Sequence, residues 1–366
     1  MTQLNNNHKI IFVFEKLPMA LSYDDVLLVP QYSEIDSRSE VDLTTKISER
    51  LTLKIPLIST KMDTVTGSEM AVAMGKLGGM GILPRFDTLE AQLQQVSVVS
   101  KSDVVVAAAV GVNNGYLDRT EALVSAGATV INIDVAHGHM KKTIDATKNI
   151  KNKFGSSITL ISGITSTFEA ADDLYSAGAD SLLVGVGAGS ICTTRVMTGF
   201  GVPGFTSLLQ TFKAAKKHRK TFMPDAGIRN SGDIVKALGT GASAIVGGNL
   251  FAGTKETPGE IVEINGQRYK QYNGSASKTE KTKHVQKDPT DKNGSYVIHV
   301  EGVEGMVRYK GPIEDVVKSL LAGVRSGLSY AGAQNIPDLW KKAKFIQVTH
   351  AGFLESNSHD VVVQTK

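Results

Sequence analysis

Short apolar runs alternate with longer segments of helical period along most of the chain. Eight runs are nearly continuously apolar and rich in β-branched residues, and they occupy residues 55–60, 79–83, 104–111, 129–134, 158–163, 181–187, 221–227 and 244–248. Such runs are typical of strands that are buried on both faces of a parallel sheet.

The segments between these runs repeat apolar residues at the spacing of an amphipathic helix. They occupy residues 68–76, 88–96, 116–125, 141–153, 167–176, 206–217 and 231–238, and a last helix is predicted at 313–326. Eight strands that alternate with helices predict an α/β fold, a (β/α)8 TIM barrel. An open, doubly wound parallel sheet is the structural alternative.

The chain is predicted to form one domain with additions. Residues 1–20 resemble an N-terminal arm, and residues 21–366 are assigned to a single barrel domain. Residues 249–311 separate the last strand from the last helix, and a hairpin is predicted around 296–309. Because insertions of this length are usually lids or disordered, and this one follows a strand end, we predict a flap over the site. Residues 345–366 are predicted to be a C-terminal tail.

Composition and charge exclude several classes of protein. The net charge is +4, and the densest basic run, Lys278–Lys287, has no interleaved aromatic residues, so no nucleic-acid partner is expected. No apolar stretch is long enough for a membrane span, so no membrane partner is expected. The single cysteine excludes an internal disulfide, and we expect a cytoplasmic protein.

Reactive side chains follow the ends of several predicted strands. The segments are Lys61 to Thr64, Asp134 to His139, the loop around Cys192, Asp225 to Gly227, and Gly247 to Asn249. One aspartate after a strand is more often a helix cap than a catalyst. Because a barrel brings these strand ends to one rim, together they predict an active site there.

Cys192 is the candidate nucleophile of this rim. It follows glycines at 185, 187 and 189, which allow a sharp turn and a close approach of backbone N–H groups to an anion. A lone cysteine is more often a small buried apolar residue, but the glycines and the polar Thr193-Thr194-Arg195 run argue against a core position. With Ser190, Gly227, Gly248 and Asn249 on the same rim, the pattern indicates covalent chemistry on a small phosphorylated substrate.

Two other kinds of site have no support in the sequence. His137 and His139 lack a third ligand at a zinc spacing, and no other spacing of His, Cys, Asp and Glu suits zinc. The glycines at 185–189 are not followed by a helix with a suitably placed acidic residue, so a Rossmann fingerprint is absent.

Several segments, in this order along the chain, resemble landmarks of the IMP dehydrogenase/GMP reductase family. They lie at 22–30 (SYDDVLLVP), 62–66 (MDTVT), 134–139 (DVAHGH), 187–194 (GAGSICTT), 231–237 (SGDIVKA) and 249–256 (NLFAGTKE). The resemblance covers nearly the full length. It implies a (β/α)8 barrel, a homotetramer, and a reaction at C2 of a purine nucleotide, GMP or IMP, with a nicotinamide cofactor.

The resemblance also implies roles for individual residues. Cys192 would attack purine C2, with Thr194 and Glu301 as the other catalytic residues. The remaining contacts divide into substrate-binding residues (Ser190, Asp225, Gly227, Gly248, Asn249, Tyr272, Ser275 and Ala276) and cofactor-binding residues (Asp134, Ala136 and His137). A K⁺ site is implied at Gly187, Gly189 and Cys192, completed by Glu355, Ser356 and Asn357 of a neighbouring subunit.

The flap distinguishes the two branches of the family. Dehydrogenases hydrolyse their covalent intermediate with an Arg-Tyr pair on the flap, and residues 278–295 contain neither residue type. The regulatory CBS modules that many dehydrogenases carry are absent as well. The resemblance therefore favours reductive deamination of GMP with NADPH to IMP and ammonia. The alternatives are an NAD⁺-dependent, CBS-free dehydrogenase acting on IMP, and a catalytically impaired nucleotide-binding regulator.

Four positions depart from the family pattern. Ile164 stands where an asparagine near the substrate is usual, and Ala226 stands where glycine is usual. Lys61 and the segment 84–86 (PRF) are also unusual for the family. These departures lie on the predicted rim, so they bear on substrate identity.

Overall fold

Eight parallel strands form a nearly closed barrel in the computed structural model, which describes residues 17–287, 297–356, 358 and 361. The strands are β1 (Leu57–Ser59), β2 (Met80–Leu83), β3 (Ala107–Val110), β4 (Val130–Ile133), β5 (Thr159–Thr165), β6 (Ser181–Val184), β7 (Thr221–Pro224) and β8 (Ile245–Gly247). Their order is β7-β6-β5-β4-β3-β2-β1-β8. A hydrogen bond of 3.0 Å from Ser243 N to Phe222 O joins the two ends of the sheet. The TIM barrel is confirmed.

Helices connect the strands around the outside of the barrel. In chain order the helices are α1 (Ser68–Lys76), α2 (Leu89–Ser100), α3 (Tyr116–Ser125), α4 (Lys141–Phe154), α5 (Phe168–Ser176), the short α6 (Thr194–Thr198), α7 (Gly204–His218), α8 (Ser231–Gly239), α9 (Lys278–Lys287), α10 (Ile313–Tyr330), α11 (Ile336–Lys342) and α12 (His350–Glu355). Thr88, Thr167 and Asn230 cap α2, α5 and α8 with side-chain oxygens that accept a backbone N–H.

Several element bounds differ from the predicted ones. The helix predicted at 88–96 continues to Ser100 because Val99 still faces the core, and the helix predicted at 313–326 continues to Tyr330 with Leu328 buried. The apolar run at 104–111 contains a shorter strand, Ala107–Val110, because apolar residues also occupy the loops at both of its ends.

The barrel is filled by apolar side chains and closed at its amino-terminal end. Its interior cluster includes Ile58, Ile82 and Met223, all fully buried. A small hairpin, Thr45–Lys46 with Thr52–Leu53, adds Ile47 and neighbouring side chains to the same cluster, below the start of the strands. Because this end is plugged, the barrel opens toward its carboxyl-terminal rim.

The insertion between β8 and α10 forms a flap. It contains the strands β9 (Val262–Ile264), β10 (Gln267–Asn273) and β11 (Glu304–Arg308), together with α9. The hairpin predicted around 296–309 is wrong, because β11 pairs antiparallel with the earlier β10. Residues 288–296 lie outside the described part of the chain.

The tail packs beside the start of the compact region. Its strand Phe345–Gln347 pairs antiparallel with Val26–Leu28. Of the predicted arm, residues 1–16 lie outside the described residues. Among the helices that the structure describes, none has the length and apolarity to cross a membrane.

Candidate active site

A cavity of about 590 Å³ opens at the carboxyl-terminal rim of the barrel, between the strand ends and the flap. The predicted site residues that line it are Asp134, Ala136, Gly187, Gly189, Ser190, Cys192, Thr194, Asp225, Gly227, Gly248, Asn249, Tyr272, Ser275, Ala276 and Glu301. Its volume is in the range of small-molecule sites.

The loop after β6 presents Cys192 to this cavity. Gly185 and Gly187 have φ values of 132° and 73°, which turn the chain sharply after the strand. Cys192 N then donates to Gly189 O at 3.2 Å, and α6 begins two residues later. The cysteine is half-buried rather than packed in the core.

Cys192 begins a short chain of hydrogen bonds. Its Sγ donates to Thr194 Oγ1 at 3.1 Å, and Thr194 Oγ1 donates to Glu301 Oε2 at 2.7 Å. A hydroxyl can accept one hydrogen bond and donate another, so Thr194 connects the thiol to the carboxylate. The three side chains can therefore move a proton between the sulfur and Glu301.

Glu301 reaches this position because the flap is docked on the cysteine loop. Thr193 N donates to Glu301 O at 3.0 Å, and Val303 N donates to Ile191 O at 3.0 Å. Cys192 and Gly302 form an isolated antiparallel bridge. Backbone pairing thus joins a barrel loop to the flap and sets the position of the carboxylate.

A second side of the cavity carries alternating charges. Arg85 Nε lies 3.0 Å from Asp134 Oδ2, and Lys61 Nζ lies 3.9 Å from Asp134 Oδ1 while contacting Asp225 Oδ2. Thr60 Oγ1 donates to Asp225 Oδ1 at 3.1 Å. Burial raises the pKa of Asp225, and the Lys61 ammonium opposes that shift. We call Arg85, Asp134, Lys61 and Asp225 the charged wall.

The residues predicted to hold a phosphate lie close to one another. Tyr272 is buried, and it lines the cavity together with Ser190. A Cβ placed on Gly248 would lie 2.9 Å from Tyr272 Oη, so only glycine permits this approach without a shift. Burial raises the pKa of Tyr272, which keeps its phenol protonated as a hydrogen-bond donor.

Some predicted residues lie elsewhere. His137 is exposed and stands outside the cavity lining, in contrast to its neighbour Ala136. Glu355 and Ser356 are exposed at the end of α12, away from the cavity of their own chain. Asn357 lies outside the described residues. Gly187 and Gly189 line the cavity.

The structure adds residues that the sequence reasoning missed. Lys281 of α9 is buried, lines the cavity and donates to His299 O. Burial lowers the pKa of its ammonium, although the Glu301 carboxylate opposes the shift. The sequence shows that Lys61 is unusual for the family but does not indicate its partners, Asp134 and Asp225.

Two departures from the family pattern also line the cavity. Ile164 follows Gly163 at the end of β5, and Ala226 follows Asp225. At its position in the cavity lining, Ile164 presents an apolar side chain.

Comparisons with known proteins find relatives over nearly the whole chain. The family model "IMP dehydrogenase / GMP reductase domain" matches residues 20–359. An inosine-5′-monophosphate dehydrogenase of Nitrosopumilus maritimus is 35% identical, over 94% of this chain and 98% of the relative. A GMP reductase of Leishmania major is 31% identical, over 94% of this chain and 98% of the relative.

A solved structure is similar over the same extent. It is a GMP reductase variant from Trypanosoma brucei in complex with guanosine 5′-monophosphate, with a TM-score of 0.90 and 30% identity. The match covers 94% of this chain and 99% of that chain.

Proposed function

Because the chain belongs to the IMP dehydrogenase/GMP reductase family, we propose that it is a GMP reductase, which converts GMP and NADPH into IMP, ammonia and NADP⁺. The observation that carries this proposal is the hydrogen-bonded chain from Cys192 through Thr194 to Glu301, inside the cavity. These residues supply a nucleophile and a route for its proton.

The first chemical stage is a substitution at C2 of the guanine base. The Cys192 sulfur forms a bond to C2, and the bond from C2 to the exocyclic nitrogen breaks. The departing nitrogen needs a proton to leave as ammonia. Thr194 donates to Glu301 and accepts from Cys192, so this pair can take the thiol proton and deliver it to the leaving group.

The nucleotide is held by residues around the cysteine loop. In this proposal Asp225 accepts hydrogen bonds from the ribose hydroxyls, and the phosphate is bound by Ser190, Gly227, Gly248 and Tyr272. The close approach of Tyr272 to Gly248, and the position of Ser190 in the same cavity lining, support a common phosphate site. Backbone groups of residues 275–276 face the same cavity and can contact the base.

The cavity also has a surface suited to a nicotinamide ring. Ile164 offers an apolar face, and Asp134 and Ala136 line the same cavity as Cys192. These residues fit a flat ring with a carboxamide, and Asp134 can accept from the carboxamide N–H₂. The bound cofactor supplies the hydride that replaces the sulfur at C2. His137 is exposed and outside the cavity lining, so the proposal gives it no role in this surface.

The flap supports the reductase over the dehydrogenase. Hydrolysis of the covalent intermediate needs a group that activates water, and residues 278–295 contain no arginine or tyrosine. Glu301 is joined to Thr194 and Cys192 instead of to a water-activating pair on α9.

One observation favours a second candidate, an IMP dehydrogenase that uses NAD⁺. Lys281 lines the cavity, and burial lowers the pKa of its ammonium, so a neutral amine becomes more accessible there. Such an amine can serve as a base toward water.

The absorbance of reduced nicotinamide separates these functions. We expect NADPH to be consumed only when GMP is present, with IMP and ammonia as products. Formation of NADH from IMP and NAD⁺ would instead establish the dehydrogenase. Tight nucleotide binding with no change in absorbance in either direction would indicate an impaired, regulatory member of the family.

A further inference from the structure

The flap helix α9 buries a face made of polar side chains. Ser277, Glu280, Lys281 and His284 follow the spacing i, i+3, i+4, i+7, and all four are buried. Glu280 and His284 stand four residues apart, so they lie on the same side of the helix, one turn from each other. A carboxylate and an imidazole at this spacing can bind one metal ion together.

A third ligand comes from the barrel. Asp63 follows β1 on the rim, and its Oδ2 lies 3.2 Å from His284 Nε2. Three potential ligand atoms lie within 4.8 Å of one another: a carboxylate oxygen of Asp63, a carboxylate oxygen of Glu280 and a ring nitrogen of His284. In tetrahedral zinc sites, ligand atoms about 2.1 Å from the ion are about 3.4 Å apart. The distance of 3.2 Å between His284 Nε2 and Asp63 Oδ2 is already close to this separation. A side-chain adjustment of Glu280 would bring its carboxylate to the same separation from the other two ligand atoms.

The imidazole of His284 is held in orientation. It stacks on Phe86 with ring centroids 4.0 Å apart and an angle of 4° between the planes. This contact fixes the ring against the rim while Nε2 faces Asp63. Metal sites commonly depend on such outer contacts, which orient the ligand before the ion binds.

A buried amide next to the cluster points to a ligand as well. Asn273 is 1% exposed, and its Nδ2 donates to Glu280 Oε1 at 2.7 Å. Its Oδ1 is buried and has no hydrogen-bond partner within the described ranges. An amide oxygen without a partner is costly in a buried position, and rotation of the amide would turn this oxygen toward Glu280. With a cation bound beside Glu280, the rotated amide would supply a further oxygen ligand.

We propose that Asp63, Glu280 and His284 bind one divalent metal ion of the zinc class, which fastens the flap to the barrel rim. Two carboxylates and a neutral imidazole balance the charge of a dication, and a mixed nitrogen and oxygen set suits Zn²⁺. Lys283, whose Nζ lies 3.0 Å from Glu280 Oε1, is 45% exposed and can turn to solvent when the ion binds. The Asp63 side chain is 25% exposed, which leaves an entry path.

The ion would be structural and not part of the purine chemistry. It would join α9 to the segment after β1, and thereby hold the flap in the position where Glu301 meets Thr194. The proposal does not depend on whether the enzyme is a reductase or a dehydrogenase.

The test uses the full-length, untagged protein after treatment with a chelator. Co²⁺ is titrated in and followed by its visible absorption, and Zn²⁺ affinity is measured by competition with a coloured chelator. We expect one equivalent to bind and to raise the thermal unfolding midpoint. His284→Gln and Asp63→Asn should each weaken binding by at least about tenfold. Because Asp63 lies on the barrel, its variant leaves the sequence of the flap helix unchanged.

Two controls separate this site from other metal-binding groups. His218→Gln removes the histidine of another His–Asp contact, 2.6 Å from Asp172 on the outer surface, and should leave the affinity unchanged. Cys192→Ala should also retain the ion, which would exclude binding by the thiolate. The proposal is overturned if no saturable Co²⁺ spectrum forms, or if both cluster variants bind the ion as the wild type does.

Discussion

The two sides of the cavity are built in different ways. The reactive side, Cys192 with Thr194 and Glu301, needs both the barrel and the flap, because Glu301 arrives only through backbone pairing with the cysteine loop. The charged wall comes entirely from residues at the ends of barrel strands.

The difference indicates a division of labour. The ion pairs of this wall involve no flap residue, so the wall suits binding and orientation. A hydrogen-bonded chain that crosses from barrel to flap exists only when the flap is docked, so it suits chemistry that must wait for a closed site. We expect substitutions on the reactive side to change turnover, and substitutions in the charged wall to change stability and binding.

The largest effect is expected for Cys192→Ala. Loss of the nucleophile should lower turnover by at least about a thousandfold, since no other group can form the bond to C2. Nucleotide affinity should stay within about an order of magnitude, because a half-buried thiol adds little to ground-state binding. Steady-state rates and direct nucleotide titration measure the two quantities. Unchanged turnover would refute the nucleophile role.

The barrel and the cysteine loop could be predicted because their signals are local. Strands buried on both faces form continuous apolar runs, and β6 with its glycine-rich loop is one uninterrupted stretch of sequence. The rim follows from the fold, since parallel strands all end at the same side. Cys192, Thr194, Asp225 and Tyr272 therefore line one cavity as expected.

The flap helix α9 could not be predicted from a local sequence signal. Its buried face consists of Ser277, Glu280, Lys281 and His284, so a search for apolar periodicity finds only a basic run. The bridging role of Lys61 was also beyond the sequence, because Asp225 lies 164 residues away along the chain. The burial of the polar helix face and the contacts of Lys61 both depend on packing between elements that are distant in sequence. Secondary-structure propensity and residue spacing do not determine such packing.

An intermediate effect is expected for Lys61→Met in the charged wall. The change leaves the Asp225 and Asp134 carboxylates without their shared ammonium in a buried place, and should cost about 3 kcal/mol of unfolding free energy. Burial already raises the pKa of Asp225, and loss of Lys61 removes an opposing influence. At pH values between the ordinary pKa of an aspartate and the raised pKa, Asp225 is protonated in the folded variant and ionised in the unfolded chain.

The cost should therefore be small at acid pH and grow as pH rises through the raised pKa. Denaturant unfolding at several pH values measures it. Lys217→Met is the matched control, because its partner Asp172 forms an exposed pair and should cost less than about 1 kcal/mol. Equal costs for the two variants, or a cost of Lys61→Met that does not change with pH, would contradict a special role for the charged wall.

The smallest effect is expected for Tyr272→Phe, which tests a flap side chain that reaches the barrel residues of the predicted phosphate site. The Tyr272 hydroxyl lines the predicted phosphate site, and loss of one hydrogen bond there costs about 0.5–1.5 kcal/mol. GMP affinity should therefore fall by about two- to twelvefold, while turnover at saturating GMP changes little. Tyr269→Phe, on the same strand β10, removes a hydroxyl outside the cavity lining and serves as the control. If Tyr272→Phe lowered turnover and left affinity intact, Tyr272 would belong with the reactive side, and the division between the two sides would fail at the flap.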